Sequence, residues 1–436
     1  MLNSAISKQF LVVAVLLFFV KLIALYKEVY IGKIFGFSST LDAYYISYAL
    51  AAYFPTVILA TFSTLLVPLF ISYKESSQLS SMLSFLMLLT ISVCSLNGVL
   101  IYLFSGNISE AYQSNSSMSQ SLEIKQFLEH FSILPPLLVA TGIFVSFIIA
   151  NKNNLSFIFE VIPNFILIAT LTLLYKYLGN FSLSLGVILG SVSQFFIIYA
   201  YTALKYGIKL SFDIDRASIM PFFSLGSGAI LLIFVQMVSS PIYSIDNYLA
   251  LDFGTGSVAS YNYAIKFIAI GISLLSVIII RVILPDFAEL QNQNKYELLN
   301  SKLNNYIFGF VVITMSACLA ATQFIEQLIN LIFSDENFSS KSIADIVKLT
   351  KFGLFQIPFV AANLLIVQIF AVKKLYTVIA VVTATSAFVK FFSNLLLAKF
   401  FGLNGIMLAW AAMYFWSFFC FYALYKLKFV NMKSRF

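Results

Sequence analysis

The sequence predicts an all-α polytopic membrane protein with about 12 transmembrane helices, arranged as two six-helix parallel repeats around a central cavity. Of its 436 residues, 61% are hydrophobic and only 10% are charged, whereas about half of a soluble domain is apolar. Apolar runs of about twenty residues recur along the whole chain, and each is long enough to cross a hydrocarbon core of about 30 Å as a helix. The runs do not alternate apolar with polar residues, as the strands of a membrane barrel would.

The expected helices span residues 10–32, 43–72, 82–105, 127–150, 156–178, 183–204, 220–248, 257–284, 305–330, 346–371, 376–398 and 403–425. The first run carries Lys21, Lys27 and Glu28. It therefore lacks the uninterrupted core of a removable signal peptide, and we expect it to be retained as a helix. The longest loops, 106–126 and 334–345, are polar, are expected to be external, and are too short to form a domain.

Basic residues concentrate in the loops on the side where the N-terminus lies. Lys205, Lys209 and Arg216 follow the sixth expected helix, and Lys373 and Lys374 follow the tenth. Loops rich in Lys and Arg stay in the cytoplasm. We therefore expect a bacterial inner-membrane protein with both termini cytoplasmic. This topology accounts for the excess of 26 Lys and Arg over 18 Asp and Glu, and no nucleic acid partner is expected.

The second half of the sequence resembles the first. Phe35-Gly36 corresponds to Phe253-Gly254, and further matches follow in the same order. We therefore divide the chain into an N-terminal six-helix lobe, 1–218, and a C-terminal six-helix lobe, 219–436. An even number of helices per lobe gives both lobes the same orientation in the membrane. Transporters with such parallel halves bind cargo between them near the midplane and rock to alternate access.

Charged side chains within apolar runs are costly in a membrane, and they often mark function. Lys21 lies near the middle of the first expected helix, and Glu28 lies two turns later on the same face. We expect this stripe to face a water-filled cavity; the alternative for Lys21 is an ion pair that locks two helices together. Lys266 in the eighth helix is a second basic centre. Lysines around a cavity favour an anionic cargo such as a pyrophosphate headgroup.

Other polar residues within the runs are expected to act in coupling or in movement. Glu160 in the fifth helix and Lys390 in the eleventh are further charges within helices. Four prolines lie inside apolar runs, where each removes a backbone hydrogen bond: Pro55, Pro163, Pro241 and Pro358. Pro241 is the expected hinge because Asp246 and Asn247 follow it closely.

The sequence predicts neither a metal site nor a cofactor. The three cysteines, Cys94, Cys318 and Cys420, lie in apolar runs, where cysteine behaves as a small hydrophobic residue. The single histidine, His130, is expected to lie at the membrane interface. No phosphate-cradling nucleotide loop is present, so an ion gradient, the membrane potential or consumption of the cargo would supply the energy.

Several short motifs occur in a familiar order. They are Lys27-Glu28, Ile34-Phe35-Gly36, Asp42-Ala43-Tyr44, Phe62-Ser63 with Val67-Pro68, Gly256–Lys266 and Ile283-Leu284-Pro285. With these motifs the chain resembles, over nearly its whole length, the MurJ/MviN lipid II flippases of the multidrug/oligosaccharidyl-lipid/polysaccharide (MOP) exporter superfamily. The resemblance implies that Lys21, Lys27 and Lys266 line a central cavity with Asp42 as acidic partner. With Glu28, these residues form the expected substrate-binding set.

The chain also departs from the pattern of the lipid II flippases. Lys stands where that family prefers Arg, and Pro55 and Thr56 replace a basic pair expected in the second helix. The twelve expected helices also lack the two extra C-terminal helices of that family. These departures favour a flippase of the Wzx type, which moves an undecaprenyl-pyrophosphate-linked O-antigen or other surface-polysaccharide unit by alternating access. A lipid II flippase for peptidoglycan synthesis is the alternative.

Two rival functions are less consistent with the sequence. A polysaccharide polymerase would carry a large external loop, and a drug or cation antiporter would line its cavity with acidic residues. The chain is therefore not expected to be an enzyme. Its expected partners are a lipid-linked saccharide with a pyrophosphate headgroup and membrane lipid. Other polysaccharide or cell-wall assembly proteins are further candidate partners.

Overall fold

The computed structural model describes residues 4–72, 76–113, 117–151, 153, 155–211, 215–223, 226–279, 283, 287, 290, 293, 295–333, 338–372 and 375–427. Nearly all of these residues lie in helices, and none of them lies in a β-strand. The all-α fold class predicted from the composition is confirmed.

The described residues form helices with the following bounds. They are α1 Ser4–Phe35, α2 Ser39–Ser72, α3 Ser76–Gln113, α4 Met118–Phe131, α5 Leu134–Ala150, α6 Leu155–Phe159, α7 Val161–Leu178, α8 Phe181–Tyr206, α9 Arg216–Phe223, α10 Gly226–Ser239, α11 Pro241–Leu251, α12 Ser257–Ile278, α13 Tyr296–Ile332, α14 Ser340–Leu354, α15 Ile357–Val372, α16 Tyr376–Phe401 and α17 Leu403–Tyr425.

Within the described residues, eight helices are long and apolar enough to cross a membrane. Two bent pairs pass the same test together, α4 with α5 at 48° and α14 with α15 at 40°, which gives up to ten spans. The two remaining expected spans, 10–32 and 220–248, fall on α1 and on the interrupted series α9 to α11. α10 and α11 are each too short to cross a bilayer alone. The count of twelve therefore stays a prediction.

The chain divides into two compact units. The N unit is Phe19–Thr255, and the C unit is Gly256–Phe436 together with Met1–Phe18. The predicted lobes, 1–218 and 219–436, differ from these units chiefly in the stretch 219–255. The six-helix repeat stays a prediction.

In the N unit, α2 is the central helix and packs against α4, α5, α10 and α11. The core around it includes Leu66, Phe144 and Phe147, which are almost fully buried. Lipid tails are as apolar as these side chains, so close van der Waals packing holds such helices together. Gly190 of α8 shows this packing, since a Cβ there would lie 2.9 Å from the Cα of Pro163 in α7.

In the C unit, α12 packs against α14, α13 against α15, and α15 and α16 both pack against α17. The buried side chains of its core include Leu365, Phe370 and Phe421. The sequence-based bounds of α17, 403–425, agree with the structure, as does the start of α12 at Ser257.

Residues 106–126 do not form the expected external loop, and that prediction is wrong. α3 continues to Gln113, and α4 begins at Met118. The serine hydroxyls in this stretch remain compatible with a helix because they donate to carbonyls one turn earlier, Ser105 to Tyr102 and Ser109 to Gly106. Part of the second expected loop, 334–337, lies outside the described residues.

Three of the four prolines lie in the first turn of a helix, where a missing N–H costs no intrahelical bond. Pro163 lies in the first turn of α7, Pro241 begins α11, and Pro358 is the second residue of α15. The continuous helices expected at 156–178, 220–248 and 346–371 are therefore interrupted. Pro55 differs because it lies inside α2, which runs past it.

Gly405 supplies a test of the α16–α17 hairpin. A Cβ at this position would overlap the backbone carbonyl of Leu397 in α16. We expect Gly405→Ala to lower the free energy of unfolding by about 2 kcal/mol or more, because backbone cannot move aside as a side chain can. Thermal unfolding of the purified chain in detergent measures this change.

The matched control is Gly309→Ala in α13, where nothing lies within 4 Å of the added Cβ. That substitution should leave stability unchanged or raise it by up to about 1 kcal/mol through helix propensity. Equal unfolding temperatures for the two variants would contradict the packing of α17 on α16.

Candidate functional site

An ion pair in the N unit joins α1 to Glu160, the residue immediately before α7. Lys21 Nζ lies 3.6 Å from Glu160 Oε2, and the side chains are 34% and 44% exposed. Further along both helices, the Tyr30 hydroxyl lies 2.7 Å from Thr172 Oγ1. The paired positions increase together, so α1 and α7 run in the same direction. Both side chains are only partly buried, so another group can approach Lys21.

Glu28 does not share the surroundings of Lys21. It is only 2% exposed, accepts a hydrogen bond from the Tyr45 hydroxyl at 2.7 Å, and lies 2.8 Å from Lys27 Nζ. The expectation that Glu28 and Lys21 form one stripe facing water is therefore wrong. Helical spacing does place the two on similar sides of α1, but α2 covers Glu28 through Tyr45. The alternative for Lys21, an ion pair between two helices, is the contact that the structure contains.

The buried Tyr45–Glu28 hydrogen bond supplies a stability prediction. We expect Tyr45→Phe to lower the free energy of unfolding by about 1.5 to 3 kcal/mol, the usual range for a hydrogen bond to a charged group. Tyr26→Phe is the matched control, because Tyr26 lies on the same stretch of α1 and is 59% exposed. Thermal unfolding of both variants measures the difference. If both variants unfold at the same temperature as the unchanged chain, the Tyr45–Glu28 hydrogen bond contributes nothing to stability.

Asp42 is fully buried in the first turn of α2. A carboxylate there interacts favourably with the positive end of the helix dipole. Ser38 stabilises the same helix start, since its hydroxyl accepts from the Leu41 backbone N–H at 3.4 Å. The burial of Asp42 at the start of α2 indicates a structural contribution in this conformation.

The C unit holds a different basic centre around Lys390. This side chain is fully buried. Its ammonium donates to Asn394 Oδ1 at 2.6 Å and to the Ile406 carbonyl at 3.1 Å, and it lies 4.8 Å from the centre of the Trp410 ring. Trp410 in turn donates to the Tyr261 hydroxyl at 3.0 Å. These contacts with an amide, a carbonyl and an aromatic face join α12, α16 and α17.

Lys266 lies on α12 in the C unit and is half-buried. One turn before it, Asn262 is fully buried and donates to the Val258 carbonyl at 2.8 Å. Asp246 and Asn247 belong to the N unit and are buried in α11, directly after the break at Pro241. The single histidine, His130, lies 3.0 Å through Nδ1 from the Ser184 hydroxyl, apart from the residues above.

The structure thus pairs Lys21 with Glu160 and Lys27 with Glu28, and it places Lys266 and Lys390 in the C unit. Sequence reasoning missed Tyr45 and Trp410. Both are aromatic residues in a chain with 17% aromatics, so composition could not single them out.

Comparison with known proteins identifies the family. The family model described as lipid II flippase MurJ matches residues 31–435. The chain belongs to the MurJ family of lipid II flippases. A search of curated protein sequences finds no match to the chain.

Solved structures support the same fold. A lipid II flippase MurJ in an inward closed conformation superposes with a TM-score of 0.78 at 19% identity, covering 95% of this chain and 87% of that one. An inward-facing MATE family multidrug transporter of the MOP superfamily has a TM-score of 0.76 at 12% identity, covering 97% and 99%. A MOP superfamily transporter from Pyrococcus furiosus has a TM-score of 0.63 at 13% identity, covering 97% and 96%.

Membership of the MurJ family establishes the general activity. The chain is a multi-pass membrane protein that flips a lipid-linked saccharide, and it is a transporter, not an enzyme. Between the two cargoes considered from the sequence, the family match favours lipid II over an O-antigen unit.

Proposed function

We propose that this chain flips lipid II across the bacterial cytoplasmic membrane for peptidoglycan synthesis. The observation that carries the proposal is the match of the MurJ family model to residues 31–435. The expected O-antigen cargo depended on departures at a few positions, such as Pro55 and Thr56. A match over nearly the whole chain outweighs those local differences.

The exposed Lys21–Glu160 pair supports a direct role in binding the headgroup. A charge in the bilayer interior is costly, and a partly exposed lysine there favours a polar path. The pyrophosphate would replace Glu160 as the partner of Lys21, and Glu160 would take Lys21 back when the cargo leaves. Such an exchange lets the site bind an anion without holding it permanently.

We assign the remaining expected residues as follows. Lys27 keeps 14% of its side chain exposed beside Glu28, and with Lys266 of the C unit it is a further proposed contact for the pyrophosphate. The break before Pro241 is the proposed hinge, with Asp246 and Asn247 next to it. Glu28 and Asp42 support α1 and α2.

We further propose that both termini are cytoplasmic, in accordance with the distribution of basic loop residues. The cargo and membrane lipid are the proposed partners, together with other cell-wall assembly proteins. The two units would alternate access by rocking, driven by an ion gradient, the membrane potential or consumption of lipid II outside.

Complementation in two conditional strains tests the cargo. One strain is depleted of its own lipid II flippase, and the other lacks its O-unit flippase. We expect the chain to prevent lysis of the first strain and to restore no surface polysaccharide in the second. Restored polysaccharide without rescue from lysis would overturn the lipid II assignment in favour of the O-unit cargo.

A further inference from the structure

Two prolines of the N unit follow helix breaks, one at Glu160 and one at the proposed hinge. Pro163 lies in the first turn of α7, and Pro241 begins α11. The missing N–H costs no bond within α7 or α11, but it leaves the carbonyl four residues earlier, in the preceding helix, without its helical donor. Those carbonyls belong to Phe159 in α6 and to Met237 in α10. Within a membrane such an acceptor needs a donor from elsewhere in the protein.

A side chain from a neighbouring helix supplies the donor at both positions. Gln194 Nε2 of α8 donates to the Phe159 carbonyl at 3.0 Å, and the Tyr53 hydroxyl of α2 donates to the Met237 carbonyl at 3.0 Å. The two donors differ in chemistry and lie on different helices, yet each reaches the carbonyl that a proline four residues later cannot serve. This repetition indicates that the two side chains compensate for the prolines.

The break before α7 holds the backbone of Glu160 from both sides. Its φ and ψ of −66° and −17° lie in the right-handed helical region. Its own carbonyl accepts from the Asn164 side-chain amide at 3.1 Å, next to the carbonyl that accepts from Gln194. Two side-chain amides thus fix the backbone around Glu160, while its carboxylate stays 44% exposed and 3.6 Å from Lys21 Nζ.

We propose that Gln194 is a positioning residue for Glu160. By replacing the donor that Pro163 lacks, its amide holds the break between α6 and α7 in the shape that brings Glu160 to Lys21. The inference rests on the proposed binding of pyrophosphate by Lys21, because Glu160 is the group that competes with the cargo there. Tyr53 compensates for the proline at the proposed hinge in the same way.

Hydrogen exchange of the purified full chain in detergent tests the compensation for Pro163. Gln194→Leu keeps a similar size but cannot donate, so amide exchange in the peptide 159–170 should become roughly fivefold faster, the equivalent of about 1 kcal/mol for one hydrogen bond. Pro163→Ala supplies a backbone N–H for the Phe159 carbonyl. In that background the increase caused by Gln194→Leu should fall below about twofold, because the carbonyl keeps a donor. An equal increase in both backgrounds would overturn the assignment.

Binding of inorganic pyrophosphate tests whether Gln194 acts through Glu160. A displaced Glu160 competes less for Lys21, so Gln194→Leu should raise the affinity for pyrophosphate by up to roughly fivefold, since a partly exposed ion pair contributes about 1 kcal/mol or less. In Glu160→Gln no competing carboxylate remains, and the same substitution should leave the affinity unchanged. A merely structural role would change the affinity equally in both backgrounds, and that result would contradict the proposal.

Gln126→Leu is the matched control. Gln126 is exposed on α4 and lies near Phe181, at the other end of α7 and α8 from the break. This variant should change neither the exchange of the peptide 159–170 nor the affinity for pyrophosphate, and an effect equal to that of Gln194→Leu would overturn the proposal. If the unchanged chain binds no pyrophosphate, the proposed role of Lys21 fails together with that of Gln194, whereas equal exchange in both proline backgrounds contradicts the role of Gln194 alone. Unfolding temperatures show that each variant is folded.

Discussion

Lys21→Ala is expected to abolish translocation of the lipid-linked cargo while the chain still inserts into the membrane. The substitution removes an ammonium that is 34% exposed next to Glu160. A hydrogen bond to a charged group contributes about 1.5 to 3 kcal/mol, so losing it should weaken headgroup binding roughly 30-fold. Rescue of a strain depleted of its lipid II flippase measures translocation, and the amount of chain in the membrane fraction measures insertion.

Glu160→Gln distinguishes binding of the headgroup from a structural ion pair. If Lys21 binds the pyrophosphate, removal of the competing carboxylate leaves the ammonium available, and rescue should persist. If the pair only joins α1 to α7, Lys21→Ala and Glu160→Gln should impair the protein equally, and that result would contradict the proposed role.

Two further variants control for the general effect of charge. Lys176→Ala removes an exposed lysine near the end of α7 and should leave rescue unchanged. Lys21→Arg keeps the positive charge and should retain most of the activity. If Lys176→Ala also loses rescue, the loss in Lys21→Ala does not depend on the position of Lys21, and the proposed role of Lys21 is contradicted.

Apolar periodicity was enough to predict most helices, but not the places where they break. The run 403–425 agrees with α17 because Gly402, with a positive φ of 59°, ends the preceding helix. The run 220–248 was expected to be one helix, but it contains parts of three, because the backbone turns at Ser240 before Pro241. Reading each proline as the start of a helix would have predicted the interruptions at α7, α11 and α15.

The charged residues were visible in the sequence, but their partners were not. Lys21 and Glu160 are distant along the chain, and only the fold brings them within 3.6 Å of each other. For Glu28 the sequence predicted a shared surrounding that does not exist, because its spacing from Lys21 places both side chains on the same face of α1. Tyr45 of α2 covers that part of α1, and no single-helix pattern contains this information.

Asn394→Leu is expected to destabilise the C unit strongly. Asn394 is fully buried, and its Oδ1 accepts from Lys390 Nζ at 2.6 Å. Leucine has a similar size but cannot accept a hydrogen bond, so the ammonium would lose a partner in a buried site. Loss of a buried hydrogen bond to a charged group costs about 1.5 to 3 kcal/mol. The unfolding temperature of the purified chain should fall accordingly, and little of the variant should accumulate in the membrane.

Lys390→Met provides the decisive comparison. It removes the charge itself and fills most of the same volume, so no buried ammonium remains to be solvated. Replacing a buried charge by a well-packed apolar side chain is often neutral or stabilising, and Met adapts readily to irregular space. We therefore expect Lys390→Met to fold and to rescue the depleted strain, because contacts with Asn394, Ile406 and Trp410 favour a structural role for this lysine. A folded Lys390→Met chain that fails to rescue would instead assign Lys390 a part in coupling.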